Sequence, residues 1–298
     1  MTAVKLPAVA PAGLELKQER FRVWRAFKRH RLALVSAILL IIFCAIAIFA
    51  DRIAPFDPNA TNAALAGGKP QPPSAEHWLG TDAYGRDYLS RTLVAIRISL
   101  VVGLTAVVFQ VVIGVGTGLL AGYFGGRTDN ILMRITDTFL AVPGFMLLLM
   151  VAGILGGTLP ALILAIGALT WMTVARLVRA EVLSLKQREF VTAAQCMGSS
   201  HWRIMGVYML PNLVSIIVVA ATLSVPAAIL TESALSFLGL GVPPPNASLG
   251  NMLSDAQQWI RSAWWIWVVP GVTISLIVLA FNFVGDGLRD ALDPRTRS

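Results

Sequence analysis

The hydropathic pattern of the chain is one of long charge-free runs separated by short charged or turn-rich stretches. It is neither the 3.6-residue stripe of a soluble surface helix nor the alternation of a half-buried strand. Leu32 to Ala50 is nineteen residues without a charge, Ile98 to Gly126 is twenty-nine and Thr138 to Ala175 is thirty-eight. A helix rising about 1.5 Å per residue needs about 20 residues to cross a hydrocarbon core of about 30 Å. The first run is therefore one span and the second a span with overhang. The third makes two, because Gly156-Gly157-Thr158-Leu159-Pro160 puts turn chemistry in its middle. Pro211 suits the first turn of a fifth helix, where its missing N–H is not needed. The Gly- and Pro-rich stretch LGLGVPPPNASLGNML follows, and Trp264, Trp265 and Trp267 stand at the mouth of a sixth, where indoles favour the headgroup level. The predicted spans are 32–50, 98–122, 131–154, 158–178, 212–237 and 263–285, which makes an all-α integral membrane protein of six transmembrane helices.

Composition agrees: of 298 residues, 56% are hydrophobic and 13% charged, too apolar for a soluble domain of this size. The net charge of +8 does not point to nucleic acid, because the basic residues flank the apolar runs instead of lining one soluble face. With the N-terminus in the cytoplasm, 18 of the 24 Lys and Arg fall on that side. The positive-inside rule then makes both termini cytoplasmic. The chain divides into a cytoplasmic tail, 1–31, and a transmembrane domain, 32–298, with an extracytoplasmic segment at 51–96 and a cytoplasmic loop at 179–211. Ala45-Ile46-Ala47 resembles a signal-peptide cleavage site, but a basic region of about thirty residues precedes the first span, which argues for an uncleaved helix. Within 51–96, AGGKPQPPS reads as loop and RDYLSRTLVAIR as a short amphipathic helix lying on the outer surface.

Enzyme motifs are missing: there is no GxxxxGK[ST], HExxH or GxSxG. His30, His77 and His201 are far apart in the predicted topology, and Cys44 and Cys196 suggest neither a disulfide nor a metal site. Met146 and Met150, four residues apart, read as packing residues. No metal is expected. Asp137, Arg176 and Asp286 fall near the cytoplasmic helix ends and Glu232 near the outer end of span five, positions that suit interfacial or snorkelling side chains better than an ion-coupling site. The energy source for any transport is then expected in a partner. Gly114, Gly118 and Gly122 form a small-xxx-small face in span two, suited to close helix packing within the chain or, alternatively, to a subunit interface. Pro143, Pro226 and Pro270 fall within or at the ends of apolar helices, which they bend.

The stretch EFVTAAQCMGSSHWRIMGVYMLP, residues 189–211, is an amphipathic island between two of the most apolar segments. It predicts a short helix at 188–197 ended by Gly198, then a second at 201–209 capped by Ser199 or Ser200. Small Ala193 and Ala194 allow close seating in another protein's groove, and Phe190, Val191 and Met197 offer apolar surface to bury there. Continuity with span five through Pro211 would carry a push into the membrane. The alternative is an amphipathic connector that merely lies on the membrane surface.

TAAQCMG, followed nine residues after Gly198 by Tyr208-Met209-Leu210-Pro211, resembles the EAA motif of the membrane subunits of binding-protein-dependent ABC importers. HWLGTDAYGRDYLSR (77–91), RISLVVG (97–103), ESALSFLGLGVPPPNASLGNML (232–253) and GDGLRDALDPR (285–295) are similar to the peptide and nickel branch of that family, in particular its C-type dipeptide/oligopeptide permeases. The resemblance runs over residues 20–295 and implies the type I ABC importer permease fold in a bacterial inner membrane. It implies that Thr192, Ala193, Ala194, Gly198, Leu210 and Pro211 belong to coupling helices seated on a separate ATPase. Thr192 stands where the family usually has Glu, and Tyr208 where it has Ile, so a charged contact at 192 is lost.

The resemblance further implies a second homologous permease, two cytoplasmic ATPase subunits carrying the ATP and Mg, and an extracytoplasmic solute-binding protein. No cofactor is expected on this chain. Peptides are the first expectation for the solute, with nickel, glutathione or other small solutes as alternatives. A self-sufficient secondary transporter or channel and a membrane scaffold are the readings from other classes.

Overall fold

The structure is a computed structural model that describes residues 27–28, 30–62, 65 and 67–292. The predicted N-terminal tail, 1–31, lies outside the described residues apart from Phe27, Lys28, His30 and Arg31. Helix α1, Arg31–Ile53, starts where His30 accepts the Ala33 N–H on Nδ1 (3.3 Å). Helix α2, Tyr88–Phe124, is capped by Asp87, whose carboxylate accepts the Ser90 N–H at 2.8 Å.

The described residues of the 54–87 connection fold into turns. Thr81 and Asp87 form an isolated bridge. Asp82 accepts the N–H groups of Tyr84 and Arg86 and pairs with the Arg86 guanidinium at 2.6 Å, while His77 Nδ1 lies 2.8 Å from Asp87. This anchoring corrects one expectation. RDYLSRTLVAIR does form helix, but it does not lie on a surface: its residues from Tyr88 onward are the first turns of α2. Tyr88, Ser90, Arg91, Thr92 and Leu93 are buried, and the Tyr88 hydroxyl donates to the Ile266 carbonyl at 2.5 Å. Enclosure by the turn segment and the last helix makes a continuous rod favourable where the pattern alone suggested an edge.

Helices α3 (Gly126–Ala141) and α4 (Gly144–Leu155) occupy the predicted third span but meet at 87°. Pro143 has no N–H to continue the ladder, and it holds Val142 in extended backbone, φ −88° and ψ 136°. Gly156 turns the chain with φ +71° into α5 (Leu159–Ala168) and α6 (Met172–Leu185), which together make a 27-residue crossing, Leu159–Leu185. This crossing continues seven residues past its predicted end at 178.

The island holds α7 (Glu189–Cys196), a short turn α8 (His201–Arg203) and a π-helical turn at Ile204–Met209, and runs into α9 (Leu210–Phe237). Helix α10 (Leu249–Ala256) folds back on the bundle before α11 (Trp264–Leu292) closes it. By length and hydropathy, five helices suffice to cross a membrane, or six if the bent pair serves as one crossing.

The larger core joins α1, α2, α5, α9, α10 and α11 through residues such as Phe43, Leu100, Ile166, Ile229, Leu249 and Ile277. Gly114, Gly118 and Gly122 face α6 within the same chain. A methyl at Gly118 would come within 2.6 Å of the Ala175 carbonyl, and one at Gly122 within 2.8 Å of Val182. Glu232 does not snorkel to a surface: it is fully buried and hydrogen-bonded to serines. Asp137 pairs with Arg176 at 2.5 Å, and Asp129 with Arg179 through two bonds of 2.5 and 2.6 Å, so that two ionic contacts fasten α3 to α6.

Candidate functional site

The island is built on a second, smaller core. Val191 and Ala194, three residues apart on α7, are both 0% exposed. They pack with Val178, Val182 and Leu185 of α6 and with Ile204, Met205, Met209 and Leu213. This corrects the expected presentation of Val191 and Ala194 to a partner: the i, i+3 spacing turns both inward, where they seat α7 on its own chain. The opposite face is open. Phe190 is 39% exposed and Met197 73%, and Thr192, Ala193 and Gly198 are exposed beside them. On the second arm Trp202, 71% exposed, and Val207 are exposed apolar residues as well. Neither was distinguishable in sequence, because an exposed and a buried apolar residue look alike until the two arms are docked.

Gly198 makes the corner. The Gly198 N–H donates to the Gln195 carbonyl (3.0 Å) and the Ser199 N–H to the Ala194 carbonyl (3.1 Å), the two bonds of a Schellman motif. At φ +74° the position is left-handed, and nothing stands within 4 Å of where a Cβ would sit, so the demand for glycine is one of backbone conformation and not of space. Ser200 then caps the second arm by accepting the Arg203 N–H.

From His201 to Phe237 the helical run is unbroken over 37 residues, about 55 Å at the usual rise. Pro211 falls within its first turns after the island. The wider π turn at Ile204–Met209 absorbs the clash that its ring would otherwise make with the preceding turn. Leu210 is half-buried and Pro211 exposed. The second arm is also tied sideways. The Tyr123 hydroxyl at the end of α2 lies 2.8 Å from His201 Nδ1, the rings of Phe124 and His201 meet edge-on at 5.7 Å, and Lys186 Nζ donates to the Tyr123 carbonyl at 2.7 Å. Beside α7, Leu185, Gln187, Arg188, Glu189, Phe190 and Asn212 line an open cleft of about 700 Å³.

Among the described residues, no three His, Cys, Asp or Glu side chains converge as metal ligands. At the opposite end of the bundle a small cavity of about 40 Å³ is lined by Asp82, Arg86, Tyr88, Arg91, Met252 and Asp255, among others. Partial enclosure there pushes the Asp255 carboxyl above the usual carboxylate range, against the pull of Arg91 and Arg86.

The arrangement is a helical corner continuous with α9, with apolar side chains exposed on it, and comparison with known proteins gives it a setting. Residues 114–298 match the family described as binding-protein-dependent transport system inner membrane component, and residues 21–73 match the N-terminal transmembrane domain of oligopeptide transport permease C. The chain is 40% identical to an oligopeptide transport system permease of Bacillus subtilis, over 98% of this chain and 96% of that one. It is 41% identical to a di/tripeptide transport system permease of Pseudomonas aeruginosa, over 92% of each chain. To a glutathione transport system permease of Pectobacterium atrosepticum it is 39% identical, over 98% of this chain and 96% of that one. Among solved structures, a chain of the methionine ABC transporter MetNI, in inward-facing conformations, superimposes with a TM-score of 0.55 at 19% identity, covering 68% of this chain and 97% of that one.

Proposed function

The chain belongs to the family of binding-protein-dependent transport inner membrane components, a multi-pass inner-membrane permease and not an enzyme, and from that premise we propose that it is the C-type permease of a peptide importer. The solute class rests on relatives from several bacteria that carry oligopeptide, dipeptide and di/tripeptide names. In this reading the permease pairs with a second homologous permease, two cytoplasmic ATPases that hold ATP and Mg, and an extracytoplasmic solute-binding protein. Both termini and the island face the cytoplasm.

The observation that carries the mechanism is the unbroken helical run from His201 to Phe237 behind an exposed apolar island. Phe190, Ala193, Met197 and Trp202 seat in a groove of the ATPase. Thr192, in place of the family's usual Glu, contributes a neutral contact there. Movement of the ATPase pair displaces the island, Tyr123 and Lys186 pass part of the displacement to α2, and α9 carries the rest into the bundle.

Replacement of Ala193 by Glu tests this, because it adds a charge and bulk to the seated face while leaving the core side of α7 untouched. Peptide uptake and ATPase association are both expected to fail with membrane insertion at the parent level. Uptake at the parent rate would remove the coupling role.

A further inference from the structure

Glu232 of α9 is fully buried, and serines from two elements contact its carboxyl. Ser99 of α2 donates to Oε2 at 3.0 Å and Ser236 to Oε1 at 2.8 Å. Ser233 Oγ lies 3.4 Å from Oε2. None of the ion pairs among the described residues includes it. A buried carboxyl inside a membrane helix needs such partners, and its presence in the bundle needs a reason.

The reason lies in what the serines do with their other side. Ser99 Oγ accepts the Leu249 N–H (3.4 Å), and Ser236 Oγ accepts the Val242 N–H (3.3 Å). A hydroxyl has one proton and two lone pairs. With the protons of Ser99 and Ser236 directed at Glu232, their lone pairs are left facing the N–H groups of Leu249 and Val242. The carboxyl thus sets the polarity of two hydroxyls, and these supply acceptors to the end of the loop and to the first residue of α10, whose N–H has no partner within the helix.

The seat is also tight. A methyl at Gly241 would lie 1.9 Å from Ser236 Oγ, and one at Gly250 would lie 2.4 Å from the Ser233 carbonyl oxygen. At its far end α10 reaches the small cavity, where Met252 and Asp255 meet Asp82, Arg86 and Arg91 of the 54–97 region. Residues 242–256 therefore bridge the membrane helices and the outer cover.

We propose that Glu232 is the positioning residue of an outer latch: through Ser99 and Ser236 it holds residues 242–249 against α2 and α9, and the outward-opening step of transport releases this seat. The direction and the cycle rest on the importer reading; the seat does not.

The test is hydrogen exchange on the full transporter complex in lipid nanodiscs, comparing the parent with Glu232→Gln, Glu232→Asp and Ser99→Ala. Glutamine matches glutamate in shape but turns one acceptor into a donor, whereas aspartate is shorter but keeps two acceptors. Peptides covering 242–249 should exchange about tenfold faster in Glu232→Gln and in Ser99→Ala, with α6 peptides unchanged. Glu232→Asp should stay nearer the parent than Glu232→Gln. The reverse order, or unchanged protection in Glu232→Gln, would overturn the relay, and where the Glu232 variants fail to assemble, unchanged protection in Ser99→Ala does so. Solute delivered per ATP should fall in Glu232→Gln while hydrolysis continues; faster exchange with undiminished delivery would show a seat that is no latch. A parent complex without ATP-dependent uptake would count against the importer reading, and the exchange order would still decide the seat.

Discussion

The hydroxyl of Tyr123, in the last turn of α2, lies 2.8 Å from Nδ1 of His201, the first residue of the island's second arm. This bond joins the helix that the glycine stripe locks to α6 with the arm that continues into α9, so a displaced island moves both. Tyr123→Phe removes the bond and keeps the ring contacts. A neutral hydrogen bond contributes about 1 kcal/mol, so stability should fall by no more than that. Uptake per ATP should fall more than the melting temperature suggests, as measured by transport and thermal unfolding on the same preparation.

Gly198→Ala places a Cβ at φ +74° with open space around it, so the cost is backbone strain of about 1–2 kcal/mol at the corner. Gly198→Pro cannot adopt a positive φ and also removes the N–H that donates to Gln195. The alanine variant should keep reduced uptake and the proline variant none, with both chains inserted. Equal uptake in the two would mean that the corner does not position the arms.

Gly118→Leu should damage the bundle itself. Its Cβ would start 2.6 Å from the Ala175 carbonyl oxygen, a backbone atom that cannot swing aside. Overpacking costs of about 1–3 kcal/mol are a lower bound where backbone must separate. Lower yield and a lower melting temperature in detergent should follow. Gly116→Leu, two residues away on the same helix and with nothing within 4 Å of its Cβ position, should be tolerated.

Val191 and Met197 separate folding from docking. Val191→Asp buries a charge in the small core and should unseat α7 at a cost of several kcal/mol, read as protease cleavage within 189–198. Met197→Asp, at an exposed position, should leave protease resistance at the parent level and weaken only ATPase association. Loss of both properties in both variants would contradict the two-sided picture of α7.

Much of this was legible in the chain, and the illegible part has physical causes. Five crossings follow from charge-free runs such as Leu32 to Ala50, because lipid tolerates few alternatives to an apolar helix. The turn at Gly156 and the corner at Gly198 follow from residue type. At Pro143 a bend is legible, yet the break and its 87° angle depend on what α3 and α4 pack against. Val191 and Met197 are both apolar residues on one short helix, and only docking on α6 shows which of them turns inward. Glu232 reads as a surface carboxylate because Ser99, which donates to it in space, lies 133 residues before it in sequence.

The central claim is that the exposed face of the island seats on a partner ATPase. The most direct measurement is to extract the tagged chain from its native membrane in mild detergent and identify by mass spectrometry every protein that copurifies, for the parent and for Met197→Asp. The parent should bring down a second permease of similar span count and Walker-type ATPases, and Met197→Asp the second permease with the ATPases depleted. The parent chain recovered alone, in a detergent that keeps known transporter complexes intact, would contradict the account.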